Sequence, residues 1–434
     1  MPEDYQKSRE ILIPQEIIDQ FIDHLYNDWG ALKTCALVCR AWVPPSRYHL
    51  FSCVRILALD TLSRRFSGLI EHLDHPLCTF VPSVRKLFIS AASNTHLNPF
   101  NPPDHWLDPL IPYLSKLVSV KSLFGRSIGG PMNYWHPLFK TPPFATQITH
   151  LTLRDPKFAS FEQCMEIICS FLSLESLEYM PGTLYDYEWD PNLTAFQGSP
   201  PPPWRILDIS FCNPEQLIWH WLHRTQTRLS TIKLGQNFPA FLGDMRNANF
   251  LSLNQYIQFL GPSLEVLQIN FEGISSMCRL LLNRVLEMIR LNSCLAALLD
   301  NVDLTLNTGL RVLELGFSIN FFVAPEAFDQ DLSLLPLVLS RLPKATLTST
   351  KFRVCVLANP ILTSDDPLTA EATNTTAIWN SVDELLSGPY FPMFTKVAFN
   401  ISTSLGVWYK MTEYLESRLA RCKGRGLLSI SFIR

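Results

Sequence analysis

The amino-acid sequence predicts an α/β protein in which the strands of a parallel sheet alternate with helices. One short apolar pattern recurs from about residue 80 to the C-terminus, and segments with helical spacing, such as 161–168 and 274–299, lie between its copies. The first fifty residues show helical spacing and several prolines instead. We therefore expect a helical N-terminal segment followed by a long α/β body.

The recurring pattern is an apolar residue, two variable residues, a second apolar residue, one variable residue and a third apolar residue. Side chains alternate between the two faces of a strand, so the second and third apolar residues of each copy are expected to turn inward. A weaker copy begins at Val120. The clear copies begin at Val84, Ile148, Leu174, Trp204, Leu229, Leu264, Leu310, Phe394 and Leu427.

This pattern resembles the strand segment of leucine-rich repeats. The resemblance implies an irregular solenoid with a curved parallel sheet over residues 53–434. Most copies are further apart than the roughly 20–29 residues usual for such repeats. A doubly wound α/β domain would also alternate strands and helices, but it would not account for a shared strand pattern without a nucleotide-binding loop. We therefore favour the solenoid.

Residues 10–52 predict three short helices with more apolar surface than they can bury among themselves. Pro14 suits the first position of a helix. The apolar residues of this first helix recur at helical spacing and form one stripe: Ile17, Ile18, Phe21, Ile22 and Leu25. A surplus of apolar surface on so short a segment implies a partner.

The boundaries of the next two helices are predicted from a capping residue and from prolines. Asp28 is expected to cap a short second helix that reaches Leu32. The apolar segment 35–42 is expected to end at Pro44-Pro45, and a third helical piece is expected from Ser46 to Phe51.

These N-terminal residues resemble an F-box, of the type found in basidiomycete fungi. The resemblance rests on Ile13-Pro14-x-Glu16-Ile17-Ile18, Leu32, Cys35-x-Leu37-Val38-Cys39-Arg40-x-Trp42 and Tyr48-x-Leu50-Phe51. It implies docking onto the adaptor subunit of an SCF-type ubiquitin ligase and, through it, onto a cullin. The docking residues that it implies are Ile13, Pro14, Ile17, Ile18, Leu32, Leu37, Val38 and Trp42. Ile13 stands where the family usually has Leu, a volume-conserving difference. The alternative is an ordinary helical hairpin that packs on its own domain.

The residues that flank the inward positions are expected to point outward on the concave side and to bind a target protein. About ten strands spaced ~4.8 Å apart would give a sheet roughly 45 Å long, which suits a folded partner. A solvated sheet face is polar in any case, so these residues identify no particular ligand. They are Phe88, Phe124, His150, Arg154, Glu178, Met180, Asp208, Lys233, Gln268, Asn270 and Glu314, together with Lys396 and Asn400.

Long segments without the repeat pattern interrupt the body at 93–112, 127–143, 181–203 and 359–376. Loops of this length usually bind something or are disordered. The fourth is expected to be flexible, residues 1–9 are expected to be disordered, and Pro200-Pro201-Pro202-Pro203 is expected to be a stiff connector. The first three contain aromatic residues, which favours a contact role: Phe100, Trp106, Tyr134, Trp135, Phe139, Tyr185, Tyr187 and Trp189.

Composition and charge argue against several classes of partner. Hydrophobic residues make up 47% of the chain and charged residues 17%, which suits a folded core. The net charge is -3 and no run of Lys or Arg exceeds two, so no nucleic-acid partner is expected. No apolar stretch approaches the roughly eighteen residues that span a bilayer, so we expect no membrane partner and a cytoplasmic or nuclear location. The eleven scattered cysteines are expected to be reduced, buried thiols.

One short motif matches a hydrolase signature without its context. Gly125-Arg126-Ser127-Ile128-Gly129 follows a candidate strand, 121–124, as the nucleophile elbow of serine hydrolases does. Gly130-Pro131 and Pro137 would break the helix that has to follow the serine. Ser127 is therefore only a remote candidate nucleophile, and no catalytic residue is expected.

A pair of histidines offers only part of a metal site. His220 and His223 would lie on one side of a helix, but no third ligand is evident. We favour surface histidines beside the core residues Trp219 and Trp221, and we expect neither a metal nor a cofactor.

The sequence thus predicts a non-enzymatic adaptor of a ubiquitin ligase. Residues 10–52 would dock onto the ligase, and the solenoid would hold a target protein for ubiquitin transfer by other subunits. An interaction scaffold that contains an F-box but has no role in degradation would share these features, so that alternative stays open.

Overall fold

The structure, a computed structural model, describes residues 13–57, 64–76, 78–91, 107–127, 144–156, 158, 160–180, 201–209, 215–235, 251–270, 302–320, 334–357, 373–403 and 408–433. Contacts divide the chain into two compact units. The first comprises Met1–Leu151 and Ser170–Ser173, and the second comprises Thr152–Cys169 and Leu174–Arg434.

The described residues form an α/β fold with twelve strands and thirteen α-helices. Strand β4 (His150–Arg154) crosses the boundary between the units. The other elements of the first unit are α1 (Gln15–His24), α2 (Trp29–Val38), α3 (Val43–Leu50), β1 (Cys53–Leu57), α4 (Arg64–Asp74), β2 (Lys86–Ser90), α5 (Ile111–Leu114), β3 (Ser122–Arg126) and α6 (Phe144–Gln147). Strands β1, β2 and β3 pair in parallel, in chain order.

The second unit continues the alternation of strands and helices. Its strands β5 to β12 pair in parallel with their neighbours in the chain. Its elements are α7 (Phe161–Cys169), β5 (Ser176–Met180), β6 (Ile206–Ile209), α8 (Glu215–Arg224), β7 (Thr231–Leu234), α9 (Leu251–Leu260), β8 (Val266–Asn270), β9 (Val312–Asn320), α10 (Leu334–Ser340), β10 (Ser349–Leu357), α11 (Thr373–Ser387), β11 (Lys396–Thr403), α12 (Trp408–Arg418), α13 (Ala420–Gly424) and β12 (Leu428–Ile433).

Eight of the twelve described strands begin with the same hydrogen-bond arrangement. The carbonyl oxygen of Glu175 accepts from the N–H groups of Arg205 and Ile206 at 2.9 and 3.1 Å, and the Arg205 carbonyl accepts from Ser230 and Thr231 in the same way. A unit that recurs with the same local geometry is what a solenoid requires. The carbonyls that accept from two successive N–H groups are those of Ser52, Arg85, Lys121, Glu175, Arg205, Ser230, Glu265 and Arg311.

The predicted inward residues form the core. In the second unit they align across strands β5 to β9 and are buried: Leu177, Leu207, Ile232, Leu267 and Leu313. Because alternate residues of these strands face opposite sides, the residues between them define a second side of the sheet, which we call the outer face. This buried row and the helices between the strands confirm the predicted α/β fold.

Two strands were not predicted, and the register of one was wrong. Strand β10 was missed because Thr350 occupies the central inward position between Leu313 and Val397, where the pattern expects an apolar residue. Strand β1, with Val54 and Ile56, directly follows the helical segment and was assigned to neither pattern. In β12, Leu428 rather than Ile430 pairs with Val397, so the predicted central residue is two positions too late.

The N-terminal helices differ from their prediction at two boundaries. Asp28 caps α2 as expected, its carboxylate accepting from the Ala31 N–H at 2.9 Å, but the helix runs to Val38 rather than to Leu32. Pro44 and Pro45 lie in the first turn of α3 and begin a helix instead of ending one. The first turn tolerates proline because its N–H groups have no partner within the helix.

Parts of the predicted loops are helical, and other predictions lie outside the described residues. Residues 108–112 belong to a 3-10 turn and to α5, and residues 373–376 begin α11, so these ends of the predicted loops were wrong. Helix α7 confirms the helical segment 161–168. None of the helices in the described part of the chain has the length and apolar composition that crossing a bilayer requires. Residues 1–9, 274–299, Pro200 and the aromatic residues of the first three loops lie outside the described ranges.

Candidate functional sites

The three N-terminal helices enclose a very small core. Its buried residues are Ile22, Leu32 and Cys35. Four half-buried residues pack against them: Ile18, Leu25, Trp42 and Leu50. A core of this size leaves most apolar side chains of the segment outside it.

Helix α1 carries two apolar stripes rather than the single stripe predicted. Ile18, Ile22 and Leu25 face the small core. Ile13 directly precedes the helix, and Ile17 and Phe21 lie within it, four and eight residues after Ile13. This spacing places the three residues on a second side of the helix. More than half of the surface of each of these three residues is exposed.

The C-terminal end of α2 adds further exposed apolar residues. Leu37 is 86% exposed and Val38 is 57% exposed. The 3-10 turn Arg40–Trp42 follows α2 and contacts α1, because the Phe21 and Trp42 rings lie 6.1 Å apart and the Gln15 side chain donates to the Ala41 carbonyl at 3.3 Å. The outward stripe of α1 and the end of α2 therefore flank the same turn. We call Ile13, Pro14, Ile17, Phe21, Leu37 and Val38 the N-terminal apolar surface.

Most of the predicted docking residues are accessible, and one is not. Ile13, Pro14, Ile17, Leu37 and Val38 are exposed, whereas Ile18 and Trp42 are half-buried. Leu32 was predicted to contact a partner, but its side chain is fully buried in the small core and is not accessible. Phe21, Tyr26 and Trp29 are also exposed but were not among the predicted docking residues. For Phe21, the four-residue spacing from Ile17 indicates its position on the exposed side of the helix.

Helix α3 anchors the segment to the first repeat of its own unit. The Phe51 and Phe80 rings stack 5.0 Å apart, and the Arg47 guanidinium donates to the Thr79 hydroxyl at 2.9 Å. The Arg85 guanidinium lies 5.6 Å from the centre of the Tyr48 ring. The helices therefore pack on the body through α3, while the N-terminal apolar surface on α1 and α2 stays open.

The outer face of the second unit carries a row of paired charges. Arg154 donates to Glu178 at 3.0 Å, and Lys233 lies 4.0 Å from Asp208. Glu178, Asp208, Lys233, Gln268, Glu314 and Lys351 occupy the same register position on successive strands β5 to β10. Opposite charges on neighbouring strands offset one another, so this face has little unpaired charge.

Glu314 is the centre of this row and is buried, contrary to the prediction that it points into solvent. Only 3% of its surface is exposed. Its carboxylate accepts from Arg353 and Gln268 and lies 3.4 Å from the Lys351 amine. Burying a carboxylate is costly unless it is paired and hydrogen-bonded, and the three donors supply that compensation. Lys351 and Arg353 were not predicted because they belong to the missed strand β10.

The other predicted target-binding residues have mixed outcomes. Met180 is buried, so its predicted exposure is wrong, and the side chain of Asn270 lies outside the described residues. His150, Arg154 and Lys396 are exposed. The half-buried residues on this side of the sheet are Phe88, Phe124, Glu178, Asp208, Lys233, Gln268 and Asn400.

Within this row of charges, the carboxyl group of Asp208 has a shifted pKa. Burial raises the pKa of Asp208 to about 6, against a smaller lowering by the Lys233 ammonium and a further raising by Glu178. The carboxyl therefore changes its charge near neutral pH. No nucleophile or metal-ligand cluster accompanies it in the described row, so we assign it no catalytic role.

The conformation of Ser127 is a feature of the repeats. Ser127 follows β3 directly and has a φ of 51°. Asp155 follows β4 with the same φ, and Gly235 follows β7 with a φ of 83°. A left-handed residue after the strand thus recurs where no serine stands, so this backbone geometry does not single out a nucleophile.

The described residues contain no site with the donor set of a metal centre. No group of three or more His, Cys, Asp or Glu side chains in these ranges could hold an ion. His223 packs edge-on against Phe259 with ring centres 5.3 Å apart, beside the buried Trp219 and Trp221. The described cysteines are free thiols, of which Cys35, Cys164, Cys169 and Cys422 are buried and Cys39 is exposed. Burial raises the pKa of the Cys164 thiol, which keeps it protonated.

The chain matches no protein-family model, and no curated protein is significantly similar to it in sequence.

Proposed function

We propose that this protein is a substrate-recognition adaptor of an SCF-type cullin-RING ubiquitin ligase. The N-terminal apolar surface docks onto the ligase's adaptor subunit, and the strand-helix repeats hold a target protein. The protein itself carries out no covalent chemistry. It raises the effective concentration of the target beside the ubiquitin-carrying subunit, which converts an encounter in solution into a step within one complex.

The observation that carries this proposal is the exposure of Ile13, Ile17, Leu37 and Val38 on a folded helical segment. Covering an aliphatic side chain of this size contributes about 1.5–3 kcal/mol when it leaves water completely. Side chains left exposed together in this way favour a protein interface over an isolated domain surface. The accessible apolar residues also coincide with five of the eight docking positions that the F-box resemblance implies.

The packing of the N-terminal helices on the first repeat supports the same function. Helix α3 fixes the N-terminal segment to the first repeat through the Phe51–Phe80 stack and the Arg47–Thr79 hydrogen bond. Packing of the docking segment on the first repeat keeps a target that is bound to that unit close to the ligase. The repeats supply a parallel sheet whose outer-face side chains vary from strand to strand, as target recognition requires.

Affinity purification with quantitative mass spectrometry, with and without proteasome inhibition, tests the proposal. We expect the tagged full-length protein to recover the ligase adaptor and a cullin. The double change Pro14→Ala, Leu37→Asp should abolish this recovery without unfolding the body, because both residues are exposed. The matched control is Leu172→Asp, which places the same charge at another exposed leucine.

The outcomes separate the proposal from its alternatives. Cullin recovery that survives the double change contradicts the docking assignment. Recovery of adaptor and cullin without any further partner that accumulates under proteasome inhibition favours a scaffold with no role in degradation. Labelling of Ser127 by a fluorophosphonate probe on the purified protein would instead favour the remote hydrolase alternative.

A further inference from the structure

The outer face of the first three strands has a composition unlike that of the second unit. Nine positions of β1, β2 and β3 lie on this face, and they include three cations, two phenylalanines and no carboxylate. They are Cys53, Arg55, Leu57, Lys86, Phe88, Ser90, Ser122, Phe124 and Arg126. We call this set the basic aromatic face.

Two stacked rings form the centre of the basic aromatic face. Phe88 and Phe124 are partners in the strand register, and their rings lie 4.3 Å apart with an angle of 13° between the ring planes. The Arg55 guanidinium lies 5.9 Å from the centre of the Phe88 ring. Both phenylalanines are half-buried, so part of each side chain remains accessible to an apolar side chain of a partner.

The three cations of this face have no carboxylate partner among the described residues. Arg55, Lys86 and Arg126 are exposed, and none of them forms an ion pair within those ranges. The second unit differs, because Arg154, Lys233, Lys351 and Arg353 each lie beside a carboxylate there. Unpaired positive charge around an apolar centre attracts a negatively charged ligand with an apolar group.

We propose that the basic aromatic face binds an extended acidic peptide segment of the target protein. Asp or Glu side chains of the segment pair with Arg55, Lys86 and Arg126, and one aromatic or aliphatic side chain packs on Phe88 and Phe124. Neighbouring strands are about 4.8 Å apart and alternate residues about 6.7 Å apart. Arg55 therefore lies about 8 Å from Lys86 and about 12 Å from Arg126 along the sheet, so an extended chain with acids two to four residues apart matches the cations. The inference rests on the proposed role of the repeats in holding a target.

Single-stranded nucleic acid also combines negative charge with groups that stack on aromatic rings. Three cations are few for a phosphate-backbone site, and the whole chain has a net charge of -3. The observations therefore favour the peptide.

An array of random twelve-residue peptides, probed with the labelled full-length protein, tests this inference. We expect bound peptides to be enriched at least tenfold in sequences that combine a net charge of about -3 or below with an aromatic or large aliphatic residue. The triple variant R55E/K86E/R126E should lose this enrichment, and F88T/F124T should keep the charge bias but lose the apolar preference. The matched control K33E/R205E/R421E makes the same charge change at three exposed cations elsewhere and should behave like the wild type.

Specific outcomes would overturn the inference. They are an array without charge bias, a bias that the control variant loses equally, or an oligouridylate that binds more tightly than the selected peptides. A milder triple variant, R55Q/K86Q/R126Q, and circular dichroism separate loss of binding from loss of folding. Recovery of the ligase adaptor by R55E/K86E/R126E reports on the proposed function separately, because none of these residues belongs to the N-terminal apolar surface.

Discussion

The N-terminal helices and the repeats of the second unit place their apolar residues very differently. Nine of the sixteen exposed large hydrophobic residues in the described part of the chain lie between Ile13 and Phe51. In the second unit the inward rows of strands and helices are buried. The repeats therefore bury most of their own apolar residues, whereas the N-terminal helices leave many of theirs exposed. Exposed apolar side chains on a short folded segment are what the proposed docking onto another molecule predicts.

The strongest test of this contrast compares two leucines of α2. Leu32→Ala should lower the free energy of unfolding of the N-terminal helices by about 2–5 kcal/mol, because it empties the centre of a very small core. Leu37→Ala should change it by less than about 0.5 kcal/mol, because Leu37 is already in solvent. Native-state hydrogen exchange of the α1 and α2 amides measures both values. Equal losses for the two variants would remove the distinction between core and surface.

Glycine-to-alanine changes in the two regions test how much space each leaves for an added methyl group. A Cβ at Gly309, in the second unit, would lie 1.9 Å from the Pro262 carbonyl oxygen, whereas one at Gly30 in α2 would make only an ordinary contact of 3.4 Å with Asp28. Gly309→Ala should cost about 1–3 kcal/mol through overpacking. Gly30→Ala should be neutral or should stabilise by up to about 1 kcal/mol through helix propensity. Thermal unfolding followed by circular dichroism checks the signs, and a tolerated Gly309→Ala would contradict the close approach.

The charged row on the second unit predicts a smaller, pH-dependent effect. Asp208 has a pKa of about 6 in the folded protein against 3.8 for an ordinary Asp, so the folded state binds the proton more tightly. Its contribution to stability is fully present below about pH 3.8 and is lost as the pH rises through 6. The stability of Asp208→Asn relative to the wild type should therefore rise by about 1–3 kcal/mol between pH 4 and pH 7. Urea unfolding at several pH values measures this difference, and a difference independent of pH would contradict the assigned burial.

The sequence predicted the repeats better than it predicted individual side chains. Buried leucines at two-residue spacing gave most strands correctly, because inward positions tolerate little besides apolar residues. Strand β10 was not predicted because Thr350 occupies an inward position. Strand β1 was not predicted because it follows the helical segment without a break. Only the paired strands bring Lys351 and Arg353 next to Glu314, so no local pattern could have predicted that Glu314 is buried.

The sequence identified the segment that carries the exposed apolar residues, but not which of its side chains are exposed. Helical spacing identified the apolar residues of α1, yet it could not assign Ile18 to the core and Ile17 to the surface, because both belong to one broad stripe. Leu32 was assigned to docking by resemblance, whereas its place between Ile22 and Cys35 depends on how the three helices pack. The phenylalanines of the basic aromatic face were named individually, but their stacking depends on the register of β2 and β3.

Calorimetric titration of the purified protein with the purified SCF adaptor subunit tests the central claim most directly. We predict saturable binding with a negative heat-capacity change, as burial of apolar surface requires. Leu37→Asp should weaken this binding at least a hundredfold, whereas Leu172→Asp should leave it unchanged. Absence of binding by the wild type, or equal binding by the wild type and Leu37→Asp, would contradict the claim that the N-terminal apolar surface is a docking site.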